Sequence, residues 1–436
     1  MVPSAAPTRI REIPYNYTSF SDREIVIRLL GTEIWEILER LRSQRVTGRS
    51  ARMLLEVLGA MWMVTRNPLV QDSLVGQDGR RLGELVSTMR QRLDEVQDRA
   101  NDNLEVLTLV LAARNAVADF SRELGAQNQR RNALARALKG ITAPGNLDFS
   151  GIARVSHATD ATDWRVAFPF AVIAPDHEAE VAGIVRVCIQ QGFTLIPRGG
   201  GTCYTASGVP LYPDSVLINT EKLNDVGTVQ FQPADSDNPD LHVIACGAGA
   251  ITRSVTDAAY AAGFVFAVDP TSQNASTIGG NIAMNAGGKK AVQWGTTLDN
   301  LLSWRMVTPD ADWLEVTRLQ HNQGKIHDVP LSHFRVQRYA ADGRTPVGAP
   351  RQITLQAEEI RRPGLGKDVT NKFLGGLPGV QKEGCDGLVT SARFVVHRQP
   401  AHTHTLALEF YDQDLRRSVP AIVEIKRYLE QNPQVG

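Results

Sequence analysis

Pro197-Arg198-Gly199-Gly200-Gly201-Thr202 follows directly on the apolar stretch Phe193-Thr194-Leu195-Ile196. An apolar run that ends in three glycines predicts a strand opening into a loop of bare backbone. Glycine has no side chain to hold a ligand away, and it reaches φ > 0 without strain. Successive N–H groups of such a loop can converge on an anion. Thr202 adds a hydroxyl, and Arg198 adds a charge for the loop or for a neighbouring carboxylate. Upstream, residues 168–173 are a short apolar run. Residues 178–190 then have helical spacing, with Val181, Ile184, Val185 and Cys188 on one face, and Gly192 closes them. Strand, helix, strand and glycine loop in that order predict a mixed helix-and-sheet domain.

About 70 residues further on, Asp269-Pro270-Thr271-Ser272 leads into Thr277-Ile278-Gly279-Gly280-Asn281 and then Asn285-Ala286-Gly287-Gly288. Small and hydroxylated residues alternate with glycine where a packed core would be apolar. Either cluster alone can mark only a turn. Strand signals at 215–219 and 242–245 and a helix at 251–262, closed by Gly263, separate the two. The pair reads as a surface for a long, polar, phosphate-bearing ligand. The commoner nucleotide loops are not there. Gly247-Ala248-Gly249 begins a dinucleotide fingerprint, but Thr252 stands at its third glycine. Gly288-Lys289 matches the end of a P-loop, but Ala283 replaces its first glycine and Lys290 its magnesium-binding hydroxyl. No G-x-S-x-G elbow and no H-E-x-x-H motif occurs.

Residues 1–145 have a different texture. Ser21 and Glu24 form a capping-box signature. Ile27, Leu30, Ile34, Leu38 and Leu41 then share one helical face. Further helices are predicted at 49–65, stopped by Asn67-Pro68, and at 82–96, 104–124 and 127–139, the last ended by Gly140. Residues 142–146 read as a linker. This all-helical front has no clustered ligands and reads as a packing, docking or regulatory module. Beyond 300, two strands flank the turn Pro309-Asp310-Ala311-Asp312, and a hairpin spans 334–355 with its turn at Ala341-Asp342-Gly343. The stretch 320–364 reads as long and irregular: a lid, a partner site or an insertion.

Lys+Arg and Asp+Glu are both 47, a net charge of zero that argues against a nucleic-acid binder. Cys188, Cys203, Cys246 and Cys385 lie far apart, so a zinc ribbon or iron–sulfur cluster within the chain is not expected. Thiols in a reducing compartment are. Residues 1–17 have no signal-peptide core and no run is long enough to span a membrane, so the expected location is the cytoplasm, either free or peripheral to the membrane.

The glycine loops together resemble the FAD-binding domain of the vanillyl-alcohol oxidase / p-cresol methylhydroxylase (PCMH-type) family. The chain is most similar to the branch holding D-lactate dehydrogenase and the glycolate oxidase FAD subunit. Residues 379–394, with Asp386-Gly387-Leu388-Val389-Thr390, resemble the family's last FAD-domain strand, though Gln381, Lys382 and Cys385 depart from its usual pattern. The opening with Tyr15-Asn16-Tyr17-Thr18-Ser19-Phe20 resembles flavin oxidoreductases that carry a helical N-terminal domain.

The resemblance implies an α+β protein: an all-α domain over 1–145, a two-subdomain FAD domain over 146–398, and over 399–436 the strand and helix that begin a truncated α+β cap. It implies that Gly199, Gly200, Gly201 and Thr202, next to Arg198, hold the pyrophosphate of FAD. Pro270, Thr271, Ile278, Gly279, Gly280 and Asn281 would line the pyrophosphate and flavin side. Asn285, Gly287 and Gly288 would continue that wall, and Val389 would touch the flavin or its ribityl chain. Thr202, Cys203 and Tyr204 stand where many covalent members carry histidine, so non-covalent FAD is expected, with the Cys203 thiol as the one group that could attack a flavin. The implied reaction is oxidation of a 2-hydroxy acid such as D-lactate, with electrons passed to an acceptor other than NAD. The substrate groups of the family come mainly from the cap, so no catalytic residue is assigned. Two other readings stay open: a flavin-binding and docking portion without turnover, and a helical interaction module on a degenerate flavin fold. Lys289 and Lys290 are read as solvated or as charges near the flavin, and His402 and His404 as surface residues.

Overall fold

The computed structural model describes residues 21–44, 48–74, 80–162, 164–362, 369–403, 406–411 and 414–432. The expectations for residues 1–17, the motif 15–20 and His404 lie outside them.

The Ser21 hydroxyl accepts the N–H of Glu24 (3.3 Å) and starts helix Asp22–Leu30. One continuous helical face is predicted from Ile27 to Leu41, but the structure has two helices there. Gly31, at φ 96°, ends the first, and Thr32–Ser43 follows. Helices Gly48–Arg66 and Arg80–Asp98 match their patterns. Between them Pro68–Leu74 is a helix that the sequence reading lacks. The Asn67 side chain accepts the N–H of Leu69 (3.0 Å), so Pro68 opens a helix as well as following one. The two helices expected at 104–139 are one, Leu104–Ala137, which runs through Gly125 unbroken. An interior glycine costs about 1 kcal/mol, and apolar burial on both sides of Gly125 outweighs it. Val57, Leu58, Met61, Leu93, Val110 and Phe120 form the core of this bundle.

The long helix enters a second core. Leu134, with Leu138 just beyond it, packs against Phe170, Ile173, Val181 and Ile184. Arg130 lies over the rings of Phe170 and Phe193 (5.1 and 5.0 Å) and donates to Asp214 (2.6 Å). Residues 142–146 are therefore anchored at Thr142 and Asn146 rather than a free linker. Asn146 is buried, donates to the Thr142 hydroxyl (2.9 Å) and accepts from Lys222 (2.5 Å).

Two sheets follow. In the smaller, Ala171–Ile173, Ser215–Asn219 and Thr194–Arg198 pair in parallel, with Leu147–Asp148 antiparallel at the edge. The larger is antiparallel throughout. Its strand order is Arg351–Gln356, Leu331–Tyr339, Trp313–Leu319, Leu301–Val307, Leu388–Val395, Leu241–Gly247 and Gln230–Gln232. Strand alternation puts Ile244, Trp304, Met306 and Phe334 on the face that packs against helices Thr252–Ala261 and Ile278–Met284.

The stretch 320–364 is not irregular over its described part. It adds two strands to the large sheet, and Arg361 reaches into the core to a fully buried Asp299. The Asp299 carboxylate accepts from Arg361 (2.7 and 3.1 Å) and from the N–H groups of Thr296 (2.5 Å) and Ile326 (2.7 Å). Burial pushes this carboxyl up, but Arg361 and the N–H donors hold it below the usual carboxylate range. Arg318 donates to the backbone carbonyl of Asp299 (2.9 Å). His321 accepts the N–H of Gln323 at Nδ1 (2.9 Å), which requires an unprotonated nitrogen there.

Residues 398–436 form a separate unit. Helix Leu415–Gln431 forms, capped by Asp414, which accepts the N–H of Arg416 (3.0 Å). The strand expected to begin the cap, at 406–410 within 399–436, does not form: these residues have no ladder partner among the described residues. A lone strand has no neighbour to take its backbone hydrogen bonds.

Burial holds the pKa of His321 well below its ordinary value and that of His397 down at about 4. Both therefore stay neutral in the fold as pH drops below the unfolded value near 6.5, while the unfolded chain takes up their protons. Stability should be complete above that pH and fall as pH drops towards 4, by up to about 2.7 kcal/mol per pH unit for two protons. Urea midpoints at pH 7, 6 and 5 read this directly, and His397→Gln should flatten the slope by about one proton; a level profile in the wild type would refute it. Arg361→Ala strands a buried carboxylate and should cost about 3–5 kcal/mol in the same assay.

Candidate functional site

Strand Thr194–Arg198 delivers the loop 199–202 to the edge of a cleft of about 540 Å³. Arg198, Gly199, Gly200, Gly201, Thr202, Pro270, Thr271, Gly279, Gly280, Asn281, Gly287 and Val389 all line it. The two glycine clusters thus meet in space, and they touch. A Cβ on Gly200 would lie 1.9 Å from the carbonyl oxygen of Ala275, and one on Gly199 would lie 2.2 Å from the Thr277 hydroxyl. Glycine is demanded here by the approach of one loop to the other, not only by a ligand.

Three residues expected at the site lie outside the lining. Ile278 is fully buried in the core, and Gly288 is pressed against the carbonyl of Asp269. Asn285 works behind the wall. It caps helix Ile278–Met284 at φ 48°, accepts from the Thr296 hydroxyl and the Leu298 N–H (2.9 Å each), and donates to Gln381 (3.2 Å).

The chemistry of the lip suits an anion. The N–H groups of Gly199, Gly200, Gly201 and Thr202 donate to no acceptor among the described residues. Adjacent free N–H donors of this kind fit the oxygens of a pyrophosphate. Arg198 donates to the carbonyl of Gly208 (3.1 Å), and burial draws its pKa below the ordinary value. Burial pushes the Asp160 carboxyl up, but hydrogen bonds from Cys203 and Thr162 and the charge of Arg198 bring it below the usual range. The Cys203 thiol donates to Asp160 (3.0 Å) and its sulfur accepts from Ser207 (3.3 Å), so it is tied into the loop.

Lys289 is exposed and Lys290 half-buried, and neither lines the cleft. The Lys290 ammonium donates to the carbonyl of Phe266 (3.0 Å), and its backbone N–H donates to Asp269 (3.2 Å). Burial lowers its pKa, with Asp269 opposing. Lys290 is a strut beneath the second loop.

The cleft also contains residues that the sequence reading left out of the site. Glu383 is the one carboxylate of the lining among the described residues, and it pairs with Lys372 (3.1 Å). Gly379, Gly384 and Gly387, at φ 80°, 81° and 150°, bring this segment against the opposite wall, where Gly384 meets Pro197. The glycines were visible in the sequence, but their partners are too distant along the chain for any local pattern to show.

Bare backbone donors at the edge of a cleft suit a phosphate-bearing ligand such as a nucleotide. Residues 169–317 match the family described as FAD binding domain, and residues 8–122 match a family described as a protein of unknown function, DUF3683. The FAD binding domain match lies in the second part of this chain. The chain is 31% identical to glycolate oxidase subunit GlcD of Bacillus subtilis over 39% of this chain and 35% of that protein. It is 33% identical to D-lactate dehydrogenase of Archaeoglobus fulgidus over 35% of this chain and 32% of that one. It is 28% identical to D-2-hydroxyglutarate dehydrogenase of Stutzerimonas stutzeri over 43% of this chain and 38% of that one. The chain thus spans roughly a third of the length of these relatives.

Gly200→Ala drives a methyl group into the Ala275 carbonyl and must part the two loops. Retention of FAD through desalting should fall at least about tenfold, a loss of about 1.4 kcal/mol, while the far-ultraviolet circular dichroism stays native. Full retention would show that the loops tolerate separation.

Proposed function

We propose that this chain is the flavin-binding part of an FAD-dependent oxidoreductase that oxidises a small 2-hydroxy acid, D-lactate or a close relative, and passes the electrons to an acceptor other than NAD. The observation that carries the reading is the row of free N–H groups at Gly199–Thr202, set against a second glycine wall across the cleft. The names of the relatives, all 2-hydroxy-acid oxidases or dehydrogenases, support the substrate class.

Gly199, Gly200, Gly201 and Thr202 would take the pyrophosphate, with Arg198 beside them. Pro270, Thr271, Gly279, Gly280, Asn281 and Gly287 would form the facing wall, and Val389 would meet the ring system or its chain. Asn285 would hold that wall from behind, with Ile278 and Gly288 as packing. Bound FAD supplies the two-electron acceptor. FAD is held without a covalent bond in this reading: Cys203 is engaged by Asp160 and Ser207 and no histidine lines the cleft among the described residues.

A cation for the substrate carboxylate and a base for its hydroxyl are still required. Arg198 and Glu383 are the charged side chains of the lining, and both have protein partners. We assign those roles to a cap domain of which 399–436 is the beginning, after a helical domain over 1–145 and a flavin domain over 146–398. Helix Leu415–Gln431 exposes Leu415, Val419 and Ile422 on one side, which suits a cap element. The same feature favours a second reading, a flavin-binding and docking portion without turnover of its own. Four unpaired cysteines support a reducing, cytoplasmic setting. No helix among the described residues is long and apolar enough to cross a membrane.

Purified chain reconstituted with FAD should keep absorption near ~450 nm after desalting. Acid precipitation should release all of the flavin, and flavin left in the pellet would exclude non-covalent binding. Bleaching of that band by D-lactate or another 2-hydroxy acid is the expected sign of a working substrate site. Bound flavin that no 2-hydroxy acid bleaches selects the docking reading, and a folded but colourless protein excludes both.

A further inference from the structure

We infer that Glu178 is a positioning residue for the flavin cleft, acting through a β-bulge at Thr390. The inference rests on the reading of the cleft as a flavin site.

Glu178 belongs to the small-sheet lobe, where it opens the turn Glu178–Glu180 that leads into helix Val181–Gln190. All its side-chain partners come from the large sheet. One carboxylate oxygen accepts from the hydroxyls of Thr390 and Ser391 (2.8 Å for Ser391), the other from the guanidinium of Arg305 (3.2 Å). Arg305 is held independently: it donates to the carbonyl of Gly343 (2.8 Å) and lies 4.7 Å from the ring centre of Trp313. Glu178 is therefore the movable half of the clasp.

Thr390 is where the clasp meets the cleft. Strand Leu388–Val395 shifts register against Leu301–Val307 between Val389 and Ser391, so Thr390 is the extra residue of a bulge. A bulge bends its strand and re-aims the neighbouring side chains. The preceding residue, Val389, lines the cleft. On its other side, the carbonyl of Thr390 accepts the N–H of Ala248 (2.9 Å), and the carbonyl of Ala248 accepts the N–H of Gly279 (2.8 Å) in the facing wall. Thr390 is 1% exposed, and apart from Glu178 its hydroxyl reaches only the carbonyl of Arg305 among the described residues, at a longer 3.3 Å. One carboxylate on the first lobe thus sets the bulge that aims two parts of the wall on the second.

The pair Glu178–Arg305 is about 30% exposed on each side, and such pairs contribute little to stability. Its removal should therefore be felt in the shape of the cleft more than in the unfolding midpoint. This separates a positioning role from a structural one.

The test is FAD titration of the full chain by flavin fluorescence, with urea unfolding of the flavin-free protein alongside. Glu178→Ala should raise the Kd about tenfold, which is about 1.4 kcal/mol, with little change in the flavin-free midpoint. Glu178→Gln keeps an acceptor for the two hydroxyls and should raise the Kd only about threefold. Thr390→Val should match Glu178→Ala, and the double variant should be no worse than either single one. An unchanged Kd in Glu178→Ala, additive losses in the double variant, or a loss of affinity matched by an equal loss of flavin-free stability would each overturn the inference. Wild-type chain that binds no FAD would instead overturn the flavin reading, and the wild-type titration alone reveals that.

Discussion

The structure turns on a contact between two pieces of bare backbone. Gly199 and Gly200 lie against Ala275 and Thr277 so closely that a methyl group on either glycine would collide. Everything nearby serves that approach. The parallel strands behind Arg198 aim the first loop. The second loop is pinned by buried polar bonds: Asn281 donates to the Thr252 hydroxyl (2.7 Å), and that hydroxyl meets Ser276 (2.8 Å). Buried bonds of this kind are strong and costly to lose, so they hold the loop in place. The Thr277 hydroxyl both caps helix Ile278–Met284 and touches the first loop. The cleft is the space left beside this contact.

Buried charge extends the same ordering outward. Asp299 and Arg361 meet where their side chains are 0% and 4% exposed. Such a pair adds little net stability compared with apolar residues of the same volume, but breaking it is expensive. Its value here is geometric. The Thr296 hydroxyl donates to Asn285, which holds the cleft wall, and Arg361 in turn donates to that hydroxyl (3.1 Å). The stretch around Arg361 is thereby coupled to the wall without touching the cleft. At the other end of the molecule, helix Leu104–Ala137 belongs to two cores at once, so the helical bundle and the small sheet are built on one continuous rod.

Much of the fold was legible because its signals are local. The Ser21 cap acts over three residues, the hairpin turn at 341–343 over a few, and strand alternation over every second residue. Those readings needed no knowledge of the rest of the chain. The misreadings share a cause. Gly31 breaks a helix and Gly125 does not, although both are glycines within apolar patterns. The difference lies in φ and in what packs on either side, neither of which a periodic pattern contains. Residues 142–146 looked like a linker because their composition is that of a loop, whereas Asn146 is fixed by a lysine far along the chain.

The sequence by itself determined the materials of this protein: a helical front, a mixed helix-and-sheet remainder, and two glycine-rich loops suited to a phosphate-bearing ligand. These follow from propensity, periodicity and the missing side chain of glycine, which act within a few residues. Only the tertiary structure decided which of those residues face the cleft. It placed Ile278 in the core and Asn285 behind the wall, and it brought Glu383 to the lining and Glu178 to Thr390. Those outcomes depend on which distant atoms come within hydrogen-bonding or van der Waals reach, and chain topology sets that.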